Sequence, residues 1–149
     1  MKLYLCASDF RVTPIDYNKD LILRSNNDQI IDLFIGDEDN APMVLSGCIV
    51  YFIVKDKPTD LDTSAKINKY YTSDTFPFPQ NGEAAITLRK SDCATLVGNY
   101  VYQILIKFDY LSGVPLKVLS EGTITFQKNI QGSLTSGTAG QAPYTTNPD

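Results

Sequence analysis

Apolar and polar residues alternate through most of the chain between residues 20 and 128, the period-two pattern of strands that bury one face. The clearest run is Asn99 to Phe108, where Tyr100, Tyr102, Ile104, Ile106 and Phe108 share a face while Gln103 and Lys107 mark the other. A turn at Asp109-Tyr110-Leu111-Ser112-Gly113 separates it from Leu116 to Lys128. There Leu116, Val118, Ile124 and Phe126 are expected on one face, with Lys117, Glu121, Thr123, Thr125 and Gln127 pointing away. Gly122 interrupts this second run and predicts a bulge or bend at that point. The two runs together predict a long hairpin.

Cys48 to Lys55 is apolar on both faces: Cys48, Val50, Phe52 and Val54 fill one, Ile49, Tyr51 and Ile53 the other. Such a strand is either covered on both sides within its own fold or covered on its outer side by another chain. Gln29 to Gly36 has a milder form of the pattern, with Ile31, Leu33 and Ile35 opposite Ile30 and Phe34. Glu83 to Leu88 turns Ala84, Ile86 and Leu88 inward and follows Asn81-Gly82, a dipeptide suited to the left-handed angles of a tight turn. The longest helix candidate is Lys90 to Val97, with Ser91 as cap and Gly98 as stop. Many short strands, little helix and turn signals every 8–12 residues or so predict an all-β sandwich.

The ends break the pattern. Residues 1–19 lack clean periodicity and are expected to form an N-terminal arm, 20–128 the sandwich, and 129–149 a Gly/Ser/Thr/Pro-rich tail whose one charged side chain is Asp149. Met1 to Ser8 begins like a signal peptide, but the apolar run is short, Asp9 closes it, and bulky Leu5 stands where a lipoprotein signal needs a small residue before Cys6. The expectation is a protein made in the cytoplasm without export. No stretch approaches the roughly 20 apolar residues of a spanning helix.

Composition narrows the chemistry. Of 149 residues none is histidine, which removes Ser-His and Cys-His nucleophile pairs and the commonest metal ligand. Cys6, Cys48 and Cys93 stand far apart, too few for a four-cysteine zinc site and odd in number for disulfides, so they are expected to be structural. A net charge of −4, with 13 basic and 17 acidic residues, argues against nucleic acid or an anionic membrane as partner.

Three segments together resemble the N-terminal domains of phage baseplate upper proteins. They are Leu45-Ser46-Gly47 with the strand that follows to Lys55; Asn81-Gly82-Glu83 through Leu88 with Ser91-Asp92, Leu96, Gly98 and Tyr100; and the closing Glu121-Gly122-Thr123-Ile124-Thr125-Phe126. The resemblance covers roughly residues 20–128. It implies an immunoglobulin-like sandwich that holds receptor-binding or fibre proteins on a virion, so the expected fold is an immunoglobulin-like antiparallel β-sandwich to which the two ends add extended arms. It supplies no catalytic residue and no cofactor. Members usually continue into a coiled coil or receptor-binding region, so this shorter chain is expected to act as an adaptor or a decoration, arranged as a homo-oligomeric ring among other virion proteins of tail, baseplate, fibre or capsid.

Candidate chemistry is sparse. Asp37-Glu38-Asp39-Asn40 and Asp60-Leu61-Asp62 offer oxygens to calcium but lack the alternating ligand spacing and central glycine of a regular loop, and a solvated acidic turn is the expectation. Carboxylate pairs for glycoside hydrolysis are numerically possible among the acids, yet nothing marks a cleft. Tyr70, Tyr71, Phe76 and Phe78 crowd one strand-to-loop region, as a glycan platform or an interface would. With Ile49, Tyr51, Ile53 and Tyr144 of the tail, they make up the candidate interface. The leading reading is a non-enzymatic virion adaptor whose arms pair with strand edges. Capsid decoration, a head-fibre base or a module binding host sugars are the alternatives.

Overall fold

The computed structural model describes residues 1–7, 16–37, 39–108 and 116–128. Eight strands run in chain order: β1 (Lys2–Cys6), β2 (Leu21–Arg24), β3 (Gln29–Gly36), β4 (Cys48–Lys55), β5 (Ile67–Thr72), β6 (Glu83–Leu88), β7 (Gly98–Phe108) and β8 (Lys117–Gln127). They form a three-stranded sheet, β1-β3-β6, facing a five-stranded sheet, β2-β8-β7-β4-β5. The chain is an all-β, immunoglobulin-like sandwich, as the alternation of apolar positions predicts. Four of the six strand pairings are antiparallel; β1 with β3 and β2 with β8 are parallel. Parallel neighbours need a crossover, which two-residue turns cannot supply.

The core lies between the sheets. Val50, Phe52 and Val54 of β4 meet Ile31 and Leu33 of β3, Ile86 of β6, and Ile104 and Ile106 of β7, all fully buried. Cys48 and Cys93 are buried free thiols, as expected of small apolar residues, and Cys6 is buried too. Burial pushes the Cys48 thiol up to about 11, out of the range in which a thiol is reactive.

Residues 2–6 correct the expected arm boundary. They are a strand of the sandwich, with Leu3 and Leu5 buried in the core. A five-residue edge strand is too short to display a period, but its two inward leucines are enough to hold it. The tail 129–149 and Tyr144 lie outside the described residues, as does the turn 109–115.

The β7–β8 pairing forms in register from Gly98↔Phe126 to Ile104↔Ser120 and then slips, so that Leu105 faces Val118. The bulge therefore falls at Leu119, three residues before the glycine that was expected to mark it. It turns Leu119 and Ser120 inward together and moves Val118 to the outer face, away from Ile124 and Phe126. Gly122 has another use: a Cβ there would lie 3.1 Å from the Lys19 carbonyl oxygen, so its missing side chain admits the segment that leads into β2.

The predicted helix over 90–97 is a single 3-10 turn, Lys90–Asp92. Asp92, not Ser91, closes it, accepting the Arg89 backbone N–H at 2.8 Å.

Candidate docking faces

In the five-stranded sheet, register alone places one row of side chains across four strands. Tyr70 of β5 stands opposite Tyr51 of β4, Tyr51 opposite Leu105 of β7, and Leu105 opposite Val118 of β8. Their inward neighbours Val50, Ile104 and Ile106 are fully buried, so this row faces outward. Tyr51, Leu105 and Val118 are half-buried and Tyr70 is 67% exposed, its ring 6.3 Å from that of Tyr51. Ile49 and Ile53 flank Tyr51 on the same face, both half-buried. No second layer covers the row among the described residues. The candidates Ile49, Tyr51, Ile53 and Tyr70 are thus brought together, and Leu105, Val101 and Val118 join them. Leu105 and Val101 show up in the sequence as the outward positions of β7, whereas only the bulge exposes Val118.

The aromatic cluster does not assemble. Tyr71 faces inward opposite Val50 and packs on the core. Its hydroxyl donates to the Thr87 carbonyl at 2.7 Å, and burial, with the Asp92 charge, pushes it up to about 12. Of the two phenylalanines, Phe76 is buried in the core and Phe78 is exposed. Tyr70 and Tyr71 are adjacent in a strand, so they must point to opposite faces. A flat platform of four rings is therefore absent from this region.

A groove of about 340 Å³ borders the row on one side, lined by Ile53, Lys55, Pro58, Val101, Gln103, Glu121 and Thr123. Lys55 is paired with Asp62 at 2.6 Å and donates to the Asp60 carbonyl. Gln103 donates to Glu121 Oε1 at 3.0 Å, and the Tyr17 hydroxyl donates to Glu121 Oε2 at 2.9 Å. The bond to Glu121, with burial and that carboxylate's charge, raises the Tyr17 hydroxyl above its ordinary value. On the other side of the row stands exposed Lys107.

The three-stranded sheet has a smaller apolar face. Tyr4 of β1 stacks on Phe34 of β3 with ring centroids 5.1 Å apart, Lys2 lies 6.0 Å from the Phe34 centroid, and Ile30 is 53% exposed. A groove of about 270 Å³ beside this pair is lined by Asn40, Pro42 and Asn81.

Three of the four edge strands, β1, β2 and β6, are each bonded at one residue from within the chain. Asp16 Oδ2 accepts the Tyr4 N–H on β1, and the Asp16 N–H donates back to the Tyr4 carbonyl. The Gln29 amide takes both backbone groups of Arg24 on β2. Tyr71 takes the Thr87 carbonyl on β6. An incoming strand would have to displace these side chains, which works against the strand-addition mode expected for the arms.

The acidic turns serve their own loops. Asp37 Oδ1 accepts the N–H groups of Asp39 and Ala41, Asp60 Oδ2 accepts that of Lys57, and Asp62 holds Lys55. Glu38 lies outside the described residues. No group of three metal-ligating side chains forms among those described.

Among the described residues, fold and surface define a β-sandwich with two outward apolar faces, each bordered by a groove. No family model and no curated protein matches the chain. Among solved structures it is similar to the N-terminal domain of phage TP901-1 ORF48, with 14% identity and a TM-score of 0.48, over 85% of this chain and 98% of that one. It is also similar to auracyanin A, a blue copper protein from Chloroflexus aurantiacus, with 11% identity and a TM-score of 0.36, over 87% and 98%. Neither likeness carries a residue or a role across; a blue-copper site of the His₂Cys type requires histidines, and this chain has none.

Proposed function

We propose that the chain is a non-enzymatic structural protein of a phage virion, an adaptor that holds tail, baseplate or fibre components through the faces of its sandwich and its terminal segments. The observation that carries the docking part is the outward row Tyr70, Tyr51, Leu105 and Val118, flanked by Ile49 and Ile53. Apolar side chains in that continuity on a monomer's surface mark a site for another protein. The virion setting follows from the sequence resemblance in the Leu45–Lys55, Asn81–Leu88 and Glu121–Phe126 segments. The non-enzymatic reading is supported by the absence of histidine and by thiols that are buried. The closures on β1, β2 and β6 favour contact through faces.

Quantitative peptide mass spectrometry of purified particles from the source culture tests this reading. A copy number that is a small multiple of the tail's symmetry is the expected result. Capsid-scale numbers would replace the adaptor role by decoration of the head, and absence from particles would overturn the virion setting.

A further inference from the structure

The outward face of the five-stranded sheet is self-complementary in register. Taking the row Tyr70, Tyr51, Leu105, Val118 as an axis, β4, β5 and β7 each carry one residue two positions above it and one two positions below, whereas on β8 the bulge sets Glu121 level with Gln103, and exposed Leu116 precedes the strand at its other end. On β4 these are Ile49 and Ile53, on β5 Thr72 and Asn68, and on β7 Lys107 and Gln103. A two-fold rotation about the row, with the faces opposed, sets Ile49 against Ile53, Thr72 against Asn68, and Lys107 against Gln103 beside Glu121. On these three strands apolar therefore meets apolar and polar meets polar. The exposed lysine on one side meets the groove on the other, whose acid is Glu121 and whose own lysine, Lys55, is already paired with Asp62. Charge and register thus point to a single occupant.

We propose that a second copy of this chain seats on this face about that two-fold axis, with Lys107 of each copy entering the groove beside Glu121 of the other. The interface is isologous, the commonest form of self-association, and the sheets pack in the aligned manner of sandwich layers. Four strands about 4.8 Å apart and five residues at about 3.4 Å give roughly 300 Å² of flat area per copy. A stable interface buries roughly 800 Å² per partner. The pair is accordingly weak and reversible in solution, and an assembly that holds the copies close strengthens it. This inference deepens the docking reading and shares its premise that the face is an interface, but it does not depend on the virion setting.

Analytical ultracentrifugation of the purified full chain over a concentration series tests it, apart from any particle assay. The expected result is a reversible monomer–dimer equilibrium that weakens as salt rises. Leu105→Lys, on the axis, weakens it at least ~10-fold, and Val118→Lys is the second variant if the first fails to fold by circular dichroism. Lys107→Glu weakens it by roughly 10-fold at low salt, and adding Gln103→Lys to Lys107→Glu restores it, because the reversed charges again face each other. A monomer at every concentration would assign the face to a different protein and overturn the proposal. So would a dimer indifferent to the row variants, or a charge reversal that does not restore.

Discussion

Tyr102 is 2% exposed, and its hydroxyl sits in a knot where the segment 16–20 crosses the sandwich. It bonds the Lys19 carbonyl at 2.5 Å and lies 2.8 Å from Ser120 Oγ. Ser120 Oγ in turn lies 2.7 Å from the Asp16 carbonyl and 3.0 Å from that of Tyr17. Burial raises the Tyr102 hydroxyl above its ordinary value, assisted by Asp20, Asp16 and Glu121 and opposed by the Ser120 bond, so it remains a donor. Two hydroxyl protons thus serve several acceptors. Tyr102→Phe removes one proton and leaves the Lys19 carbonyl without its buried donor, which costs about 2 kcal/mol. Ser120→Ala strips the Asp16 carbonyl and costs about 1 kcal/mol, because Tyr17's carbonyl keeps the Glu121 N–H at 2.7 Å. Since the two hydroxyls share one network, the double variant loses less than the sum by about 0.5–1 kcal/mol. Urea unfolding of the four proteins reads these values, and Tyr102→Phe lowers the melting temperature by ~5 °C. A Tyr102→Phe variant as stable as the parent, or strict additivity in the cycle, would refute the shared-network reasoning.

Three further outcomes follow from single features. Burial opposes ionisation of Asp92, but the Lys69 hydrogen bond at 2.7 Å, the Arg89 N–H and both cations outweigh it and hold the carboxyl below its ordinary value. Its contribution is therefore complete above the ordinary carboxylate value and lost as pH falls through the lower folded value, so Asp92→Asn, about 1 kcal/mol less stable at neutral pH, converges with the parent in acid unfolding curves. Gly82 has φ +74°, and a Cβ there would collide with the Ile35 carbonyl oxygen, whereas Gly98 has φ +102° and nothing within 4 Å. Gly82→Ala is accordingly expected to cost about 3 kcal/mol and Gly98→Ala about 1 kcal/mol by chemical denaturation, the excess measuring the collision. Removing residues 129–149 takes away none of the described core, so the calorimetric melting temperature should not change.

The alternation in β3, β4, β6 and β7 made the sandwich legible, because each of these strands buries alternate residues against the core. The positions of Ile49, Tyr51 and Ile53 were readable for the same reason. Three things were hidden. The strand Lys2–Cys6 is too short to show a period, and its burial depends on β3, which lies about 30 residues away in the chain. The bulge at Leu119 carries no glycine or proline, and only pairing with β7 reveals that Val118 has changed face. Separation of Tyr70 from Tyr71 follows from strand geometry once β5 is known to extend over both, but the two tyrosines precede a Pro-rich turn that masks where the strand ends.

Edges and faces divide the work of this surface. A sandwich of two open sheets presents four edge strands, each a template for unwanted pairing. Here Asp16, Gln29 and Tyr71 close three of them at Tyr4, Arg24 and Thr87, using side chains from within the same chain. The five-stranded face is treated in the opposite way: four apolar side chains stand in line across it, and the polar residues beside them, Gln103 and Glu121, are already bonded to one another. Backbone recognition at an edge tolerates many sequences and register slips, while a face is read side chain by side chain. A protein that must meet the same neighbour in the same orientation, many times over, gains from suppressing the first and keeping the second. On that reasoning a charge in the row, as in Leu105→Lys, changes partnership while leaving the fold intact, whereas Asp16→Ala, which strips the carboxylate from the Tyr4 N–H and leaves only the backbone bond to the Tyr4 carbonyl, loosens the β1 edge and produces concentration-dependent aggregates by light scattering.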